Sequence, residues 1–193
     1  PNEDALDFVY QEFKLRGIEL HMLAAINPFD PNDKVELDDA IPAVSSIFFE
    51  TEGDDASDDF WDLKRGNPLL PCDGYFGTSD DRDGQGNPAN CANILGARQL
   101  VYHYAIFGHK ITEDPGTSGK SGFKGSDFVI AIDQWSDQSI RRFGNDTNLT
   151  IARRNVEAAA FMHELGHNLG LLHGGKDDIN YKHNYLRIMN YMF

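Results

Sequence analysis

Residues 163–173 read HELGHNLGLLH, and this stretch limits the fold more than anything else in the chain. Two histidines four apart, His163 and His167, project side by side only from a helix. Gly170 then ends that helix, because glycine takes up the left-handed terminal conformation cheaply. The chain can turn back after it and carry His173 to the same place. A fold that meets these terms brings a helix end, a reversal and three imidazoles around one point. The helix is well specified upstream. Residues 150–169, TIARRNVEAAAFMHELGHNL, are rich in alanine and straight-chain side chains, and Ala160, His163 and His167 share a face.

Three neutral imidazoles suit a borderline-soft ion such as zinc and leave its fourth tetrahedral position open, as catalytic sites do. Glu164 adjoins the first ligand at an angle that reaches a metal-bound water, not the metal. Some HExxH hydrolases take a third ligand from a downstream glutamate, but no glutamate follows Glu164 here. Asp177 and Asp178 remain as carboxylates, and His173 has the better spacing. His163, His167 and His173 are therefore the expected zinc ligands, with Glu164 as the catalytic base.

The motif HExxHxxGxxH, together with RIMNY at 187–191, resembles the metzincin zinc metallopeptidases. The resemblance implies an α+β catalytic domain with a twisted mixed sheet and two main helices above an active-site cleft. One domain would span 1–193, with an upper subdomain 1–170 and a short, irregular lower subdomain 171–193. Met189 would lie beneath the zinc as the Met-turn residue. Tyr191 has the spacing of the tyrosine that astacins and serralysins use near their zinc, which implies a role at the oxyanion. The activity implied is that of a zinc-dependent endopeptidase, hydrolysing peptide bonds through a zinc-bound water activated by Glu164. Protein or peptide substrate would bind extended along a sheet edge, supplied by 101–107 or 117–124. Gly174 and the segment 176–191 read more like a microbial member than the well-known animal groups, and the subfamily stays open. Two other readings keep the metal site: a catalytically silent binding domain, which the presence of Glu164 disfavours, and a zinc amidase acting on small molecules.

Elsewhere the pattern predicts helix over 4–15 and strands at 18–26, 43–50, 99–107 and 127–132. Residues 51–93 are acidic and broken by Gly and Pro, and read as one long loop; 112–126 are glycine-rich and read as flexible. Cys72 and Cys91 are the chain's two cysteines. One disulfide between them would close a loop, contribute on the order of 3 kcal/mol and place the protein outside the cytosol, as secreted or extracellular. In SDDRDGQGNPANC at 79–91, Asp81, Asp83 and Gln85 alternate around Gly84, which leaves two readings open, a calcium loop or a solvated acidic turn. A net charge of −14 argues against nucleic acid and anionic membranes as partners, and no apolar run is long enough to span a membrane. A monomer is expected. The chain opens on Pro1 with no initiator methionine, which fits a processed mature form or a trimmed one.

Overall fold

The computed structural model describes residues 3–22, 46–49, 60–66, 72–182 and 188–190. In chain order these hold α1 (Glu3–Lys14), α2 (Phe60–Arg65), α3 (Ser79–Arg82), α4 (Cys91–Gln99), β1 (Tyr104–Gly108), β2 (Gly119–Ser121), β3 (Asp127–Ala131), α5 (Asp137–Phe143) and α6 (Leu149–Asn168). The fold is α+β, with a small mixed sheet ordered β1-β3-β2. β3 runs parallel to β1, with Ile106 opposite Val129, and antiparallel to β2, with Lys120 opposite Val129.

The central strand explains the layering. All five residues of β3 are buried, as expected of a strand covered on both faces. Its side chains alternate between two cores. Phe128 and Ile130 pack with Leu6 and Val9 of α1, Ile140 of α5, and Val156, Phe161 and Leu165 of α6. Val129 and Ala131 face the other way, against Ile47, Phe60, Leu63, Ile106 and Ile111. The long helix thus lies on one face of the sheet and α2 on the other. Asn148 starts α6 by accepting hydrogen bonds from the Thr150 and Ile151 amides, at 3.0 and 3.4 Å.

An ion pair is sealed into the second layer. Lys64 is 1% exposed and Asp127 7%, and the two are hydrogen-bonded. Burial pulls the Lys64 ammonium below its ordinary range, and the Asp127 bond works against that. The Phe76 ring lies 5.0 Å from the Lys64 ammonium, adding a cation–π contact. Lys64→Ala strands the Asp127 carboxylate in the core and is expected to cost about 3–5 kcal/mol in denaturant unfolding. Lys64→Met with Asp127→Leu should cost less than the single change. A single-mutant loss below about 1 kcal/mol, the range of an exposed pair, would show that water reaches the site.

Several expected elements differ. Helix 4–15 and helix 150–169 match α1 and α6 within a residue, but the strand expected at 99–107 begins only at Tyr104. Gln99 closes α4, and Leu100 and Val101 are 85% and 74% exposed in the turn after it. The loop expected over 51–93 contains α2, α3 and the start of α4, and the Cys72–Cys91 disulfide ties the first residue of α4 to the segment before α3. Residues 18–22 form no strand, and 23–26 lie outside the described residues. Of the strand expected at 43–50, the described part makes an isolated bridge from Ile47 to Ile111. The glycine-rich segment 112–126 contains β2. Among the described residues no helix is long and apolar enough to cross a membrane.

Candidate metal centre

The end of α6 builds the site. Gly170 has φ +84°, and the Leu171 amide bonds back to the Gly166 carbonyl at 2.9 Å, the closure of a Schellman motif. That turn aims the Leu171 carbonyl at α6, where it accepts a hydrogen bond from His167 Nδ1 at 2.9 Å. The chain then reverses again. Leu172 and Gly175 exchange two backbone hydrogen bonds, of 3.0 and 2.8 Å, so His173 and Gly174 form the two-residue tip of a tight turn. A Cβ at Gly174 would stand 2.8 Å from the Ile179 carbonyl oxygen and 2.9 Å from that of Asp177, so the close approach requires glycine.

The three expected ligands do converge. One ring nitrogen from each of His163, His167 and His173 lies within 4.8 Å of the others, and this is the group of three or more metal-ligating side chains found among the described residues. Their tautomers follow from their partners. His163 Nδ1 faces the Ile188 carbonyl at 3.0 Å, and His167 Nδ1 faces that of Leu171. His173 Nδ1 is 2.8 Å from the Asp178 carboxylate. Carbonyls and carboxylates only accept, so each Nδ1 donates and each neutral ring carries its lone pair on Nε2. Burial favours the neutral form, pushing His163 down to about 4 and His167 also below its ordinary value. The Nε2 atoms of His163 and His167 are 3.1 Å apart, so two lone pairs face each other. That arrangement is repulsive unless a cation sits against both, and the donor set fits a borderline-soft divalent metal.

The support around these rings was mostly invisible in the sequence. Met189, 1% exposed, packs its sulfur against Gly166, where an added Cβ would approach it to 2.4 Å. Beside it Asn190 is fully buried and bonds both ways to the Lys182 backbone, at 2.9 and 3.2 Å. Together these pin the 188–190 turn whose carbonyl orients His163. Asn168 donates to the Gly122 and Asp127 carbonyls and accepts from His103, tying the helix end to the β2–β3 connection.

Glu164 is 5% exposed, and Ser121 Oγ donates to its Oε2 at 2.6 Å. Burial raises its carboxyl to about 7, against the opposing effect of the Ser121 bond. Of the two candidate sheet edges, 117–124 contains β2, which contacts α6 at Glu164.

Other expected residues lie apart from this centre. Asp81 is buried and accepts from the Thr78 amide and hydroxyl in a capping box, and Arg98 grips both its carboxylate oxygens. Its oxygens are thus engaged within the protein, while Asp83 caps α3 and Gln85 is exposed with φ +55°. Asp177 pairs with Lys182 at 2.5 Å. Tyr191 lies outside the described residues. Compared with models of protein families, with curated proteins and with solved structures, the chain matches none.

Proposed function

We propose that this chain is a zinc-dependent endopeptidase of the metzincin type, acting outside the cytosol. The observation that carries the reading is the convergence of three imidazoles, one ring nitrogen of each within 4.8 Å of the others, while each Nδ1 faces a carbonyl or carboxylate acceptor. His163, His167 and His173 would hold the metal, which when bound acidifies water and polarises a carbonyl. Glu164, buried beside the first of them and outside the ligand set, takes a proton from the attacking water at a carboxylate oxygen and returns it to the leaving amine. An extended substrate pairs with the outer edge of β2. Its contact with Glu164 favours it over β1, because the scissile bond must reach the base. The disulfide supports an oxidising compartment.

The test is incubation of the zinc-loaded protein with unfolded casein and with a mixed peptide library, reading new N-termini by mass spectrometry. Internal cleavage that stops on chelation and returns with zinc is expected. Intact substrates in the presence of bound zinc would overturn the peptidase reading, and release of small-molecule amines alone would favour an amidase.

A further inference from the structure

Residues two apart on a strand share a face, and on β2 the shared face of Gly119 and Ser121 is shaped around one side chain. A Cβ on Gly119 would stand 2.7 Å from Glu164 Cγ and 2.8 Å from its Oε1. Ser121 closes the other end, with its hydroxyl 2.6 Å from Oε2. Any larger residue at 119 crowds the carboxylate, and a residue without a side-chain donor at 121 releases it. We propose that Ser121 is a positioning residue for Glu164, holding its carboxylate in the orientation from which it moves a proton. The inference rests on the peptidase reading above.

Two physical arguments carry it. A glutamate has three rotatable side-chain bonds, and catalysis by proton transfer tolerates little error in where the oxygen sits. A short O–H···O⁻ bond to an ionised carboxylate is roughly twice as strong as a neutral one, and so restrains the side chain firmly. Ser121 also belongs to the strand whose outer edge would receive the substrate. The same three residues would then set the register of the peptide and the aim of the base, coupling correct docking to correct chemistry. A serine that merely satisfied a buried carboxylate would matter for stability alone.

The experiment compares zinc-loaded native protein with Ser121→Ala and Ser121→Thr, and adds infrared difference spectra of the metal-free proteins. Ser121→Ala is expected to lower kcat about tenfold or more, the effect of one hydrogen bond to a charged group, with KM and zinc stoichiometry unchanged. Ser121→Thr keeps the hydroxyl and should recover most of the rate. In alkaline buffer without metal, the carboxylate band that Glu164→Gln removes should shift in Ser121→Ala and stay in place in Ser121→Thr. A native kcat in Ser121→Ala, with or without lowered stability, overturns the proposal, as does an unmoved Glu164 band. Failure of the native protein to cleave any peptide is a different result: it removes the peptidase reading, and the role of Ser121 falls with it.

Discussion

Glu164→Gln is expected to lower kcat/KM by about 10²–10⁴-fold, the contribution of a positioned proton-transfer group, while the protein still binds one metal per chain. The substitution isolates chemistry from architecture. Glutamine has the shape of glutamate, so it clears Gly119, and its carbonyl oxygen can still accept from Ser121. What it cannot do is take up a proton. Glu164 also contributes nothing to the trio of ring nitrogens, so zinc content should not change. Steady-state kinetics on one cleaved peptide, with metal analysis of the same sample, give both quantities. Near-native rates in the mutant would mean that another group carries the proton. Lost zinc would mean that the carboxylate helps to hold the metal.

The convergence of the three histidines was more legible than the scaffold around them, for a reason that individual residues make plain. The helical pair His163 and His167, the break at Gly170 and the return to His173 are local, so spacing alone encodes them. The outer helices α1 and α6 and the buried strand β3 were equally readable, because each carries a dense apolar pattern in one short window. Ser121 was not, since it meets Glu164 across 43 residues of sequence and sits in a glycine-rich stretch that offers no periodicity. Asp178 was noticed as a carboxylate, yet its bond to His173 depends on the tight turn at Leu172–Gly175. The apolar run Leu100–Tyr102 misled in the opposite direction. It imitates the start of a strand, but α4 ends there and leaves Leu100 and Val101 in solvent. α4 itself had no apolar stripe to reveal it: of its nine residues Cys91 alone is buried. The disulfide anchors its first turn, and Arg98 joins it to Asp81 of α3.

His167→Ala is expected to abolish tight zinc binding, a loss larger than the ~10-fold to ~100-fold that removing a supporting partner costs, and Asp178→Ala should fall at the low end of that smaller range. The gradation follows from geometry. His167 places its Nε2 3.1 Å from that of His163, whereas the exposed Asp178 only fixes which nitrogen of His173 carries the proton. A second consequence separates a ligand from an ordinary buried histidine. With zinc at about 100 times its dissociation constant, binding should stabilise the native protein by about 2.7 kcal/mol, and the same zinc should leave His167→Ala unmoved. Without metal the gap should narrow. Metal-free His167→Ala should then lose little beyond its Leu171 bond, about 1 kcal/mol. Thermal unfolding of four samples, native and variant each with and without zinc, measures all of this at once. If the variant were several kcal/mol weaker in both conditions and zinc shifted neither protein, His167 would be a packing residue and the metal centre would be wrong.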